Sequence, residues 1–164
     1  MERAHQTRRR IAITTHQSVV SPVRYCSFIM KTVFKVEVQF GDCDPAGIVF
    51  FPNFSKWMDA ASLHFFVSHG VLPWRELVKT TGIIGTPLLE INTRFMKPAT
   101  YGETIEIQTE ITEWRPKVFI MQHIVMREET LICEGTEVRA FCIRDGDRIK
   151  AVEVPADIKA KCQT

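Results

Sequence analysis

The chain has 164 residues, 45% apolar and 24% charged, which is ordinary for a soluble protein and enough for one domain with a real core. No apolar run is long enough to cross a bilayer, which argues against a membrane-spanning role. The net charge of +2 is uneven: residues 1–30 hold five arginines against one glutamate, a balance of +4, so the remainder carries −2. A slightly acidic body argues against general nucleic-acid binding.

Residues 1–29 are Arg-rich, poor in acids and aperiodic, and they lack the apolar core of a secretory signal. They are expected to be a disordered extension, or an upstream start with the natural chain opening at Met30. Residues 30–164 form the single expected domain. Phe34, Val36, Val38 and Phe40 alternate with Lys35, Glu37 and Gln39, which marks a half-buried strand. Gly41 to Phe51 follows as a loop, and Pro52 suits the first turn of a helix. Phe54, Trp57, Met58, Ala61 and Phe65 fall on one helical stripe running to about Gly70. Residues 71–81 read as a connector or short helix containing Pro73 and Trp74.

The pattern then becomes strand-like. Residues 83–97 are broken by Gly85 and Pro87 and stopped at Pro98. Ile105, Ile107, Thr109 and Ile111 alternate with polar residues, 113–117 reads as a turn, and 118–127 and 131–144 read as strands. Asp145-Gly146 signals a hairpin, and 149–154 closes the sheet. One strand, one long helix, then four or five antiparallel strands predict an α+β domain whose helix buries its stripe against the sheet. Exposed edges and the uncovered face invite a dimer. The five cysteines are scattered, with no CxxC pair or Cys/His cluster, so no metal is expected and the thiols are read as reduced in a cytoplasmic protein.

The stretch Asp42-Cys43-Asp44-Pro45-Ala46-Gly47-Ile48-Val49 lies between strand and helix. It holds a carboxylate, a proline and a glycine just ahead of a helix N-terminus, where oriented N–H groups polarise a carbonyl or bind an anion. A carboxylate aimed at a polarised carbonyl is the core of an acyl-transfer site. Asp44 fits that role and equally fits a loop residue capping the helix. Asp42 reads as structural. Cys43 is a poor nucleophile, because two flanking carboxylates disfavour its thiolate. His123 reads as a satisfied core or interface residue, and no G-x-S-x-G elbow is present.

Gly41 to Val49 with Pro52-Asn53 resembles the signature of the 4-hydroxybenzoyl-CoA thioesterase family, of the Pseudomonas type. The similarity continues through Trp57, Asp59-Ala60-Ala61-Ser62, Pro73-Trp74-Arg75, Gly85-Thr86-Pro87, Glu113-Trp114-Arg115, Lys117, Arg139, Asp145-Gly146 and Val154-Pro155-Ala156-Asp157. It implies a hotdog fold, an antiparallel sheet wrapped around one long helix, paired into dimers and commonly tetramers. It implies hydrolysis of an aroyl-CoA to the free acid and coenzyme A, with no metal and no cofactor beyond the substrate.

The resemblance also assigns roles. Asp44 becomes the catalytic carboxylate, attacking the thioester or activating water. Gly47 and the backbone N–H at Phe51 polarise the carbonyl; near members carry Tyr at that second position, and Phe keeps the amide. Asp59 meets the para hydroxyl of the ring, where a buried phenol contact discriminates strongly. Trp74 and Thr86 match the aroyl pocket, although Trp74 also reads as core and Thr86 as a turn residue. Arg115 and Lys117 match binders of the coenzyme A phosphates, with Arg139 a further candidate, and all three also read as solvated surface charge. The chain departs from the pattern at Pro116, where near members have a second Arg, and at Val118, where they have Ser. The rival expectations are a hotdog thioesterase for short aliphatic acyl-CoA or acyl carrier protein esters, a non-catalytic acyl-CoA binding protein, and a nucleic-acid role for the basic arm.

Overall fold

A computed structural model describes residues 31–163, so the expected extension over 1–29 lies outside the described residues. The chain opens with strand β1 (Thr32–Glu37), whose residues alternate between half-buried and exposed as a one-sided strand should. The strand ends earlier than its alternation predicts. The Asp42 carboxylate accepts the Gln39 N–H at 2.8 Å, which folds Phe40–Asp42 into a 3-10 turn and leaves Phe40 exposed.

Helix α1 (Pro52–Ser68) begins at the proline and runs as expected, burying Phe54, Trp57, Met58, Ala61, Ser62, Phe65 and Phe66. It ends in a Schellman motif: the Val71 N–H donates to Phe66 O and the Gly70 N–H to Val67 O, with Gly70 at φ +73°. The connector resolves into α2 (Trp74–Thr81), opened by Pro73. The strands β2 (Ile83–Gly85), β3 (Leu88–Phe95), β4 (Thr104–Trp114), β5 (Val118–Arg127), β6 (Thr130–Ala140), β7 (Cys142–Asp145) and β8 (Arg148–Ala151) follow. The strand expected over 131–144 is therefore two, because the chain breaks at Phe141 to leave one sheet for another. A last helix, α3 (Ala156–Lys161), was not expected. It seals the core with Ile158.

The main sheet is antiparallel in the order β1-β4-β5-β6-β3, and a smaller sheet has the order β2-β7-β8. Helix α1 lies across the main sheet over two clusters. Its first half packs with Ile105, Ile107, Val125 and Ile132. Its second half packs with Phe119, Phe141, Leu77 and Ile158. Gly135 of β6 permits the close approach: a Cβ there would stand 2.7 Å from Met58 Sδ.

Candidate active site

The loop ahead of α1 is a tight hairpin. The Asp44 N–H donates to Ile48 O at 2.8 Å, the Gly47 N–H to Asp44 O at 2.9 Å, and the Phe50 N–H to Asp42 O at 2.9 Å. Gly47 sits at φ +77°, a conformation that a side chain resists. Asn53 of α1 donates its side-chain amide to Asp42 O at 2.9 Å, locking loop to helix. Asp42 is thus spent on structure. Asp44 is half-buried, and its Oδ1 accepts the Ala46 N–H at 2.8 Å. Its Oδ2 has no hydrogen-bond partner among the described residues.

Phe51 is the N-cap of α1 and is followed by a proline that carries no N–H. Its own backbone N–H meets no acceptor among the described residues. One carboxylate oxygen and one helix-terminal amide are therefore available at the same turn. Phe51 also borders an apolar cavity of about 400 Å³ walled by Ile48, Phe54, Phe95, Met96 and Pro98.

Further along α1, a second cavity of about 310 Å³ is lined by Asp59, Trp74, Thr86 and Arg139 with Leu63, Ile84 and Pro87. Four residues distant in sequence thus converge on one space. Trp74 serves as wall and core alike, its ring 5.2 Å from that of Phe66. Gly85, at φ +143°, turns the chain in front of it. Arg115 and Lys117 stand apart, exposed in the turn between β4 and β5. Arg115 forks onto its neighbour Glu113, Nε to Oε1 at 2.8 Å and Nη2 to Oε2 at 3.1 Å. Its charge is already paired, though an exposed pair of this kind is weak and exchanges readily.

Arg139 corrects the expectation that grouped it with these two surface cations. It is 4% exposed and points inward, because β6 alternates and its odd-numbered residues 133 to 139 face the helix. Its Nε donates to Glu137 Oε2 at 2.7 Å, Nη1 to Thr86 O at 3.0 Å and Nη2 to Asp59 Oδ1 at 2.7 Å. Glu137 is wholly buried and was not singled out in the sequence. Burial alone would push its carboxyl up, but the hydrogen bonds and charges of His123 and Arg139 outweigh that and hold it at about 2. Burial likewise opposes the Arg139 charge, and Glu137 and Asp59 more than restore it.

A helix crossing an antiparallel sheet, with a carboxylate loop at its N-terminus, is the arrangement expected of a hotdog-fold thioesterase. Known proteins of similar sequence and structure agree. The profile of the Thioesterase-like superfamily matches residues 38–162. The 4-hydroxybenzoyl-CoA thioesterase of Pseudomonas sp. strain CBS-3 is 45% identical over 130 residues, 76% of this chain and 92% of that protein. An Asp-to-Asn mutant of a 4-hydroxybenzoyl CoA thioesterase, crystallised with 4-hydroxybenzoyl CoA, superposes with TM-score 0.79 at 41% identity, covering 80% of this chain and 98% of that one. A gentisyl-coenzyme A thioesterase superposes with TM-score 0.70 at 33% identity, over 81% of this chain and all of the other. The chain belongs to the thioesterase-like superfamily and is, by family, a thioester hydrolase.

Proposed function

We propose that this chain hydrolyses an aroyl-CoA, with 4-hydroxybenzoyl-CoA as its preferred substrate, to the free acid and coenzyme A. The observation that carries the reading is the cavity where Asp59 meets Trp74 and Thr86. An aromatic wall with a carboxylate at its edge suits a flat ring bearing a hydroxyl. The Phe51 amide and the helix N-terminus polarise the thioester carbonyl. The Asp44 carboxylate then acts through its free oxygen. It either bonds to the carbonyl carbon, expelling the CoA thiolate and leaving an anhydride for water to split, or takes a proton from the attacking water. In both routes the thiolate leaves with the electron pair of the broken C–S bond. Arg115 and Lys117 serve the CoA phosphates, and Arg115 must first release Glu113. No metal or organic cofactor takes part in this scheme.

The test is the release of CoA thiol from 4-hydroxybenzoyl-, benzoyl-, 3-hydroxybenzoyl- and short aliphatic CoA esters. Preference for the 4-hydroxy ring by about ten-fold or more is expected from one charge-assisted hydrogen bond. Flat or aliphatic-biased turnover would remove the ring assignment, and no turnover by folded protein would favour a binding role.

The reading includes a homodimer in a cytoplasmic setting. Strand β3 is an edge of the main sheet, and Leu88, Leu89, Ile91 and Phe95 on it are all exposed. An apolar unpaired edge of this length invites strand pairing with a second copy. Asp59 follows Phe51 by eight residues, about 12 Å of helix axis, and the two border different cavities. A ring that reached both would need more than one benzene width, so a partner's loop is the better match for this chain's ring cavity. Light scattering should give twice the chain mass or a multiple of it; a monomer at micromolar concentration would sink the dimer. The four described cysteines are unbonded, in keeping with a reducing compartment.

A further inference from the structure

Beneath the ring cavity runs a line of buried polar groups that the scheme above leaves without a task. Thr109 Oγ1 lies 2.9 Å from His123 Nδ1, and His123 Nε2 lies 3.1 Å from Glu137 Oε2. The same oxygen takes Arg139 Nε, and Ser62 Oγ stands 3.2 Å away. Thr109, His123 and Glu137 are completely shielded from solvent. Because the Glu137 carboxylate can only accept, His123 Nε2 carries the proton between them, and Nδ1 pairs with the Thr109 hydroxyl, which can donate or accept. Three elements, β5, β6 and α1, meet at one carboxylate oxygen, and β4 joins them through His123.

Such a network is an expensive way to hold a core together. Well-packed apolar residues of similar volume are often as stabilising as a buried ion pair, or more so. What the network does accomplish is directional. Arg139 leaves the core through Nη2 and ends on Asp59, whose side chain is 71% exposed at the cavity rim. An exposed aspartate on a helix samples several rotamers and discriminates weakly between ligands. Here Oδ1 is held at 2.7 Å by a guanidinium that is itself fixed at Nε by Glu137 and at Nη1 by the Thr86 carbonyl. Oδ2 has no partner among the described residues and remains an acceptor of set direction.

We infer that Glu137, acting through Arg139, is a positioning residue that gives the ring cavity its selectivity for an aroyl group bearing a hydrogen-bond donor at the far end of the ring. This rests on the ring-cavity reading proposed above. Hydroxyl and amino substituents satisfy the held carboxylate. Methoxy and carboxylate substituents present no donor, and the second adds like charge. Glu137 touches no substrate; it orients the guanidinium that orients the acceptor.

The test compares full-length wild type with Asp59→Asn, Glu137→Gln and Arg139→Lys. The readout is the ratio of kcat/KM for 4-hydroxybenzoyl-CoA to that for benzoyl-CoA, with kcat and KM resolved for each ester. The ratio is expected to fall about ten-fold in all three, the value of one well-directed hydrogen bond to a charge. In Glu137→Gln the loss should appear mainly in the hydroxylated substrate. 4-Aminobenzoyl-CoA should follow the hydroxylated ester, and 4-methoxybenzoyl-CoA the bare one. A ratio unchanged in Asp59→Asn would overturn the ring-cavity reading. A ratio lowered in Asp59→Asn but unchanged in Glu137→Gln would overturn this inference alone, as would an equal loss on both esters, which is what a merely structural role produces. Should Glu137→Gln fail to fold, Arg139→Lys decides between the same outcomes on the same ratio, since it keeps the charge and removes the fork.

Discussion

Asp44→Asn should lose at least about 100-fold in kcat toward every CoA ester the protein accepts, while keeping its fold. The range expected for removing a general acid or base is about 10²–10⁴-fold, and losing a covalent nucleophile costs more. The reason the fold should survive is local. Among the described residues the Asp44 side chain makes one hydrogen bond, its Oδ1 accepting the Ala46 N–H, and an amide oxygen accepts the same bond. The hairpin is otherwise held by backbone bonds from residues 44, 47 and 50 and by the Asn53 amide. Unfolding free energy should therefore move by no more than about 1 kcal/mol. What the substitution removes is the charge on Oδ2, so neither attack on the carbonyl nor proton uptake from water remains. Because both routes depend on that charge, loss across aroyl and aliphatic esters alike is the diagnostic result. Thiol release retained within ten-fold of wild type by a correctly folded variant would take the chemistry away from Asp44.

The same loop shows how much of the site could be read before any fold was known. Asp44, Gly47 and Phe51 are contiguous with a helix start marked by Pro52 and a clear apolar stripe, so their placement followed from local rules. The long helix, β5 over 118–127 and the Asp145-Gly146 hairpin were legible for the same reason. The second cavity was harder. Trp74 and Thr86 were brought forward only by family resemblance, and nothing local ties them to Asp59 or Arg139. Glu137 was missed because a charged residue in a strand reads as solvent-facing. The signal was present in phase rather than in type: Phe119, Met121 and Val125 share their parity with His123, and Cys133 and Gly135 share theirs with Glu137 and Arg139. Counting by two would have set three ionisable side chains on the inward face. The second halves of two strands went astray for related reasons. A side-chain bond from Asp42 ended β1, and a change of sheet at Phe141 divided the strand expected over 131–144. Neither event leaves a mark in hydropathy.

Acid stability offers the second large effect, and Glu137 should govern it. Its carboxyl is held at about 2 in the folded protein against an ordinary 4.5. A depressed carboxylate stabilises the fold above its unfolded value and loses that contribution as the pH falls toward the folded one, so the window runs from about 4.5 down to about 2. A shift of this size is worth on the order of 3 kcal/mol, at 1.36 kcal/mol for each unit. Glu137→Gln removes the titrating group and leaves Arg139 in the core with Asp59 as its remaining carboxylate partner. Removing one partner of a buried ion pair typically costs about 3–5 kcal/mol, here softened because a neutral glutamine oxygen can still accept from Nε, though without the charge that fixes the direction of the guanidinium. The variant should be less stable than wild type at pH 7 by about 2–3 kcal/mol. The gap should close as the pH drops through the window, because wild type surrenders there what the variant has already lost. Urea unfolding of both proteins at intervals from pH 7 to pH 3 measures that difference directly, and titrations common to the two cancel in it. A gap that stays constant over the whole range would mean that the Glu137 charge, with its ties to His123, Arg139 and through Arg139 to the ring cavity, does not hold this part of the molecule together.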